Sequence, residues 1–277
     1  MITLNELSFG YSRSKQVLDG IDLEIAPGRI CGLLGKNGEG KTTLLNLLSG
    51  QIFPDKGSCL VMEETPAKRQ AHFLRQIFLL PEEISMPDVT ALEYMRMYAP
   101  FYPSFREDIW KTCAESFEVD FSAKVLKMSQ GQRKKVAITL ALAAHTPLLL
   151  MDEPTNGLDI PSKATFRRLV ATLIGEDQTV IISTHQVRDL ESLIDTVVIL
   201  DHKHILLNKS LEAIGRKLYF GTVLEGEKTF YSEPSPVGAI GVTERGGKDE
   251  TPVSLELLFN AATNNPRIFN QMFNPNK

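Results

Sequence analysis

One glycine-rich octet and one pair of acids carry the first chemical information in this sequence. Gly35-Lys36-Asn37-Gly38-Glu39-Gly40-Lys41-Thr42, followed by Thr43, fits the pattern G-x-x-x-x-G-K-[ST]. Glycines at these places let backbone N–H groups turn inward around phosphate oxygens, a path that side chains would obstruct. A helix starting at the end of the octet adds the positive end of its dipole. Lys41 then offers a cation to the β- and γ-phosphates, and the Thr42 hydroxyl offers Mg²⁺ an oxygen ligand. Further along, Leu148-Leu149-Leu150-Met151-Asp152-Glu153 runs four apolar residues into two acids. A buried strand delivers carboxylates to its C-terminal edge, where ligands bind in open α/β sheets. Asp152 is placed to hold Mg²⁺ through water, and Glu153 to orient and deprotonate a water attacking a γ-phosphate. Together the two motifs predict a P-loop nucleoside triphosphatase. No N-K-x-D segment for guanine recognition occurs, which favours ATP.

The elements that must position these groups are legible in outline. Ile2, Leu4, Leu7 and Phe9 alternate loosely, as in a first strand, and Leu18, Ile21, Leu23 and Ile25 form a second around the turn chemistry of Asp19-Gly20. Ile30, Cys31, Leu33 and Leu34 make the short apolar run expected of a parallel strand buried on both faces, and Thr42 to Leu48 has helical character. Leu148 to Met151, Val180 to Ser183 and Val197 to Leu200 alternate with amphipathic stretches, the pattern of a parallel sheet with crossover helices. Between Ile84 and Met128 the composition shifts. Tyr94, Met95, Met97, Tyr98, Phe101, Tyr102, Phe105 and Trp110 crowd a segment interrupted by Pro87, Pro100 and Pro103, which predicts an inserted helical lobe. Its aromatics either pack its interior or line a surface groove for a partner. Residues 232–252, rich in Gly, Pro, Ser and charge, read as loop or loose β, and Val253 to Ala262 as one terminal helix without an obvious cap.

Lys127-Met128-Ser129-Gln130-Gly131-Gln132-Arg133 opens a helical stretch ahead of the Asp152 strand. It resembles the LSGGQ signature of ABC ATPases, with Met for Leu and Gln for the first Gly. Glu153-Pro154-Thr155-Asn156-Gly157-Leu158-Asp159 resembles that family's D-loop, Ser183-Thr184-His185 its switch histidine, and Tyr11 sits where the family stacks an aromatic on adenine. The elements follow the family's order over roughly residues 1–215, so the chain resembles an ABC transporter nucleotide-binding subunit. Taken singly, Ser129 would serve as a plain N-cap, His185 as a structural histidine and Tyr11 as an edge aromatic; the shared order gives them roles.

The resemblance implies an α/β fold of the P-loop NTPase type: a RecA-like core with an antiparallel β portion and an inserted α-helical subdomain at about 84–145. Residues 1–215 would form the ATPase domain and 216–277 a C-terminal extension of unknown role. It implies a homodimer, or a pair with another ABC subunit, sandwiching two ATP. Each ATP would meet Tyr11, Gly35, Asn37, Gly38, Gly40, Lys41, Thr42 and Thr43 of one chain and Ser129, Gly131 and Gln132 of the other. Glu153, His185 and Lys41 would be catalytic, and Thr42, Glu82 and Asp152 would meet Mg²⁺. The family normally carries Gln after the strand Ile77 to Leu80; here Leu80-Pro81-Glu82-Glu83 puts Glu82 in that place. Its carboxylate is still a hard oxygen ligand, but it adds negative charge beside a triphosphate.

Closure and opening of such a dimer would drive a separate polytopic permease, with export the favoured direction and the chain peripheral at the cytoplasmic face of the cell membrane. Val136 to Met151, the most apolar stretch, is broken by His145 and Pro147 well short of the ~20 residues a membrane span needs. Met1-Ile2-Thr3-Leu4-Asn5-Glu6 shows neither a basic nor an apolar leader region. The alternative is a soluble ABC ATPase acting on ribosomes or DNA; those families carry paired ATPase units, long coiled coils or zinc-binding insertions. In this sequence of 277 residues, 30 basic residues against 34 acidic argue against non-specific nucleic-acid binding, and no nucleic-acid partner is expected. Cys31, Cys59 and Cys113 lack metal-ligand spacing and read as reduced core thiols.

Overall fold

A computed structural model describes residues 2–12, 14–224, 226–236 and 238–273. The chain opens with β1 (Ile2–Ser12) and β2 (Lys15–Ile25), an antiparallel hairpin that closes with Ser12 opposite Lys15. Asp19-Gly20 does not reverse the chain. Gly20 takes φ 56° inside β2 where the register shifts, so the pair makes a bulge within the strand. Glu6, at φ 45°, does the same in β1, which is why the apolar alternation there is loose.

β3 (Ile30–Leu34) runs into the glycine octet, and α1 (Lys41–Leu48) emerges from it. β4 (Lys56–Val61), the single turn α2 (Ala71–Leu74) and β5 (Ile77–Leu80) follow. The chain then enters the helices α3 (Ala91–Tyr98), α4 (Glu107–Phe117) and α5 (Gln130–Ala144). β6 (Leu148–Asp152), α6 (Ile160–Leu173), β7 (Thr179–Thr184), β8 (Thr196–Asp201) and β9 (His204–Ser210) complete the central part. The C-terminal part holds α7 (Leu211–Lys217), β10 (Leu218–Val223), β11 (Tyr231–Ser235), β12 (Gly238–Glu244), α8 (Leu255–Asn264) and α9 (Pro266–Phe273). The boundary expected near residue 215 falls inside α7.

The central sheet has the order β5-β6-β7-β3-β8-β9, parallel throughout except for β9, which pairs antiparallel with β8. Apart from β9, its strands are largely apolar on both faces, and the period of two sends alternate residues into two cores. Cys31, Leu33, Leu148, Leu150 and Ile181 join α1 and the antiparallel sheet β2-β1-β4 on one side. Leu34, Leu149, Met151, Val180 and Ile182 join the helices on the other. The thiols of Cys31, Cys59 and Cys113 are free and buried, and burial pushes those of Cys59 and Cys113 up to about 12.

In the helical lobe Thr90 and Glu93 form a capping box at the start of α3. Most of the aromatics pack: Tyr94 is buried, and Trp110, fully buried, tilts against Phe121 at 5.7 Å. Truncating such a tryptophan to Ala costs about 3–5 kcal/mol. Met97 and Phe101 remain on the surface.

Two sequence expectations change in the C-terminal part. The segment read as loop or loose β contains β11 and β12, in a sheet of order β10-β12-β11. Pro234 is tolerated there because β11 is the edge strand. The helix expected over Val253 to Ala262 is α8, and a further helix follows it: Pro266 cannot continue α8 and instead starts α9. α8 does have a cap of sorts: Glu191, from far earlier in the chain, accepts the Leu255 N–H at 3.0 Å.

Candidate nucleotide-binding site

Register explains why the motifs meet. Leu34 pairs with Thr184, Asp152 with Ser183, and Leu80 with Met151, so β3, β7, β6 and β5 end at one edge of the sheet. The glycine octet, His185, Glu153 and Glu82 all leave from that edge. Asn37, Gly38, Gly40, Lys41 and Thr42 of the octet line a cleft of 490 Å³ with Glu82, Glu153 and His185, together with Tyr11, Thr43 and Asp152.

The octet wraps as the glycines permit. Gly40 is the N-cap of α1 at φ 105°, and a Cβ there would lie 2.8 Å from the Val17 side chain. Only glycine lets the turn sit this close to β2. The first turn of α1 carries no acidic residue, so its N-terminal dipole faces the cleft unopposed by its own helix. Lys41, 6% exposed, donates to the Gly35 and Lys36 carbonyls at 2.9 and 3.3 Å and lies 3.5 Å from Glu153 Oε1. Gly35 itself borders a neighbouring cleft with Lys36 and Asn37. Tyr11 is 57% exposed at the rim; its hydroxyl lies 3.2 Å from Thr43 Oγ1, and its ring stands edge-on to Phe9.

The acids are held more firmly than a strand end alone would hold them. Asp152, 2% exposed, accepts the Thr42 hydroxyl at 2.6 Å and a short hydrogen bond from the Ser183 hydroxyl. Glu153 takes φ 44°, a left-handed conformation uncommon outside glycine, and this turns the chain sharply after β6. Strain of this kind, of order 1–3 kcal/mol, persists where surrounding bonds over-determine it. Here Thr184 Oγ1 donates to Glu153 Oε2 at 3.2 Å, and His185 Nδ1 lies 2.9 Å from Oε1.

The structure does not bring Ser129, Gly131 and Gln132 into this cleft. Ser129 is the N-cap of α5, accepting the Gln132 N–H at 3.2 Å, while Gln132 Oε1 accepts the Ser129 N–H at 3.0 Å. This capping box exposes the start of α5 to solvent. Gly131 packs closely: a Cβ there would lie 3.1 Å from the Gly157 carbonyl, a tight contact.

Four residues that sequence reading left unassigned join the site. Asn156 lines the cleft, and its amide donates to Glu82 Oε1 at 2.9 Å. Lys15 and Val17 of β2 form part of the wall beside Tyr11. Lys134, 4% exposed, reaches from α5 to the Glu82 carbonyl at 3.0 Å and the Pro81 carbonyl at 3.5 Å. Burial, the larger influence, holds its pKa below the usual lysine range, while Glu82, Asp152 and Glu153 pull the other way. Asn156 had a sequence signal in the D-loop run; Lys134 had none.

The donor set fits the groups the motifs imply. Among the described residues no cluster of three or more His, Cys, Asp or Glu forms a metal cage. Thr42, Asp152 and Glu82 instead offer hard oxygens beside a phosphate-sized cradle, which suits Mg²⁺ shared with a nucleotide's phosphates.

A parallel sheet ending in a glycine cradle, a buried lysine and an acid pair defines a P-loop nucleoside triphosphatase. The ABC transporter family model matches residues 18–156, from β2 through the octet and α5 to Asn156. The sequence is 31% identical over 225 residues to the ABC transporter ATP-binding protein NatA of Bacillus subtilis, covering 77% of this chain and 91% of NatA. It is 29% identical over 191 residues to the Nod factor export ATP-binding protein I of Cupriavidus metallidurans, covering 67% and 63% of the two chains. A dimeric ATP-binding cassette solved in a post-hydrolysis state with ADP and Pi has the same fold, with a TM-score of 0.68 at 24% identity over 76% of this chain and 99% of that one. The chain belongs to the ABC transporter family, as an ATP-binding subunit of the P-loop ATPase type.

Proposed function

We propose that this chain hydrolyses ATP at a site completed by a second ABC subunit, in the simplest case a second copy of itself, and so drives a separate polytopic membrane permease. The observation that carries this reading is a division: the cleft gathers Tyr11, most of the octet, Thr43 and the acids Glu82, Asp152 and Glu153, while Ser129, Gly131 and Gln132 lie outside it at the start of α5, Ser129 and Gln132 exposed. In this arrangement the triphosphate lies on the octet of one chain and meets Ser129, Gly131 and Gln132 of the other, with two ATP per dimer. The similar cassette solved as a dimer with ADP and Pi supports the pairing. Residues 1–215 act as the ATPase domain and 84–145 as its helical lobe.

Lys41 and the backbone N–H groups of the octet hold the β- and γ-phosphates, and Tyr11 offers its ring to the adenine. Thr42, Asp152 and Glu82 hold Mg²⁺, which when bound neutralises phosphate charge. Glu153 accepts the proton of the water that attacks the γ-phosphorus. Its own orientation is fixed by Thr184 on Oε2 and His185 on Oε1. Among the described residues no helix is long and apolar enough to cross a membrane. In this reading the subunit works at the cytoplasmic face, docked on its permease, as its ABC transporter relatives' role as ATP-binding subunits supports. Export is the direction we favour, supported by the similarity to a Nod factor export subunit.

Glu153→Gln tests the reading. The amide keeps the shape but cannot take the proton, so ATP binding is expected to be retained while hydrolysis falls about 10²–10⁴-fold. ATP should then hold a dimer visible by size-exclusion chromatography. Wild-type turnover in this variant would remove Glu153 from the role of base.

A further inference from the structure

The turn that follows His185 is gripped from two sides. Val187–Asp189 forms one turn of 3-10 helix directly after the histidine. On one side, Asp189 Oδ2 accepts from Lys163 Nζ of α6 at 2.8 Å and from Thr155 Oγ1 of the D-loop run at 2.9 Å, while Lys163 also reaches Gln186 Oε1 at 2.8 Å. That grip belongs to the ATPase core. The other comes from the C-terminal part. Glu191 Oε1 accepts the Leu255 N–H at 3.0 Å and the Ser254 hydroxyl at 3.4 Å, and so ties the turn to the first residues of α8. Arg188 Nε donates to Glu256 Oε2 at 2.7 Å.

Beneath these polar ties the packing is continuous. Leu190, Leu255 and Leu258 are fully buried in one cluster, with Val187 packed against it. α8 rests in turn on β11 and β12, so the turn is anchored to a sheet and not to a loose tail. Phe259 and Asn260 of α8 line a cleft of 370 Å³ together with Lys36 and Asn37 of the octet and His185.

We infer that residues 211–273 are a brace acting in cis on the switch segment. Through Glu191 and Arg188, α8 fixes the 187–191 turn, and the turn sets His185 against Glu153. Glu191, Arg188 and Glu256 are positioning residues: none touches the reacting atoms, and each acts through His185. This gives the C-terminal part a role in the hydrolytic step itself, and it rests on the proposal that Glu153 and His185 serve ATP hydrolysis. Hydrogen bonding, not charge alone, carries most of the effect. The Arg188–Glu256 pair is largely solvent-exposed, and exposed pairs contribute little, whereas Glu191 occupies the N-terminus of α8, where a capping acceptor matters more.

The test compares Glu191→Ala with Glu191→Gln in the full chain, measuring kcat, KM for ATP, nucleotide affinity and Tm. Removing one cap interaction is expected to lower kcat about fivefold, with KM and nucleotide affinity within about twofold of wild type. Glu191→Gln keeps an oxygen for the Leu255 N–H and should restore kcat. A charge arm runs in parallel. Arg188→Glu sets a fourth acid among Glu256, Glu191 and Glu233, the charges that surround Arg188, and should slow turnover; adding Glu256→Arg should recover it. If Glu191→Ala does not fold, the charge arm alone decides. Wild-type kcat in both Glu191→Ala and Arg188→Glu would overturn the brace, as would a kcat loss that only follows a fall in nucleotide affinity or in Tm. A wild-type chain without ATPase activity in the same assay would instead defeat the underlying reading, and the brace with it.

Discussion

In the cleft at the sheet edge Lys41, Asp152 and Glu153 are nearly fully buried, and each is partnered from within the chain. At the start of α5 Ser129, Gln130 and Gln132 are exposed, and the capping bonds of Ser129 and Gln132 run between each other. Both regions present backbone N–H groups and the positive end of a helix dipole, the general means of holding phosphate. They differ in completion. The cleft has cations, acids and an aromatic wall around one cavity. The α5 terminus has a preorganised helix start, and Ser129 and Gln132 there do not line the cleft. On the function proposed above, the difference teaches that a chain can carry one site as two halves, each to be completed by a second subunit. One joint connects them: Lys134, on α5, bonds to the backbone of Pro81 and Glu82, and Gly131 lies against the Gly157 carbonyl.

Predictions that break or sharpen this contrast follow in order of size. Ser129→Arg should remove hydrolysis, by about 10²-fold or more, because bulk and charge at the exposed half obstruct the opposing octet. Its nucleotide affinity as an isolated chain should stay within about twofold of wild type, read by fluorescent nucleotide titration, since Ser129 lies outside its own cleft. Weak binding by the isolated variant would mean that the two halves are not separate.

Lys134→Met tests the joint. Replacing the ammonium by an apolar chain of similar length releases the Pro81 and Glu82 carbonyls, and kcat is expected to fall about tenfold with nucleotide affinity little changed. A kcat equal to wild type would show that the joint carries no part of the reaction.

Glu82→Gln should have the smallest effect, with kcat within about fivefold of wild type. An amide oxygen can still face Mg²⁺ and accept the Asn156 amide that now bonds to Glu82 Oε1. A loss as deep as that of Glu153→Gln would make Glu82 a participant in proton transfer.

The legibility of these features in the sequence follows their range. The octet, the acid pair and the apolar strands are local patterns, and the parallel strands they predict are observed; the antiparallel edge strand β9 was not among them. His185 and Ser129 were legible only through their order relative to the other motifs, since one histidine after a strand or one serine before a helix has many uses. β11 was obscured because Pro234 suits an edge strand, and edge position is a property of the assembled sheet. The break before α9 was obscured because Pro266 reads equally well as a stop and as a first helical residue. Glu191 with Leu255, Arg188 with Glu256, and Lys134 with Glu82 are contacts between distant segments. No periodicity or spacing encodes such meetings; packing creates them.

The composite site is tested most directly by mixing two inactive variants. Lys41→Ala removes the phosphate cation from the cleft half, and Ser129→Arg blocks the exposed half, so each homodimer carries both of its sites damaged. In a mixed dimer both lesions fall on one site, and the other is assembled from an intact Lys41 and an intact Ser129. Random pairing makes about half of the dimers mixed, so turnover should recover to about a quarter of wild type, provided one site can fire without its twin. Recovery should rise with the fraction of mixed dimer measured by differential tags. Single-turnover measurement on purified mixed dimers covers the case of obligate coupling, because an intact site still fires once. Mixed dimers silent in both steady-state and single-turnover assays would contradict the account, and would place each site within one chain.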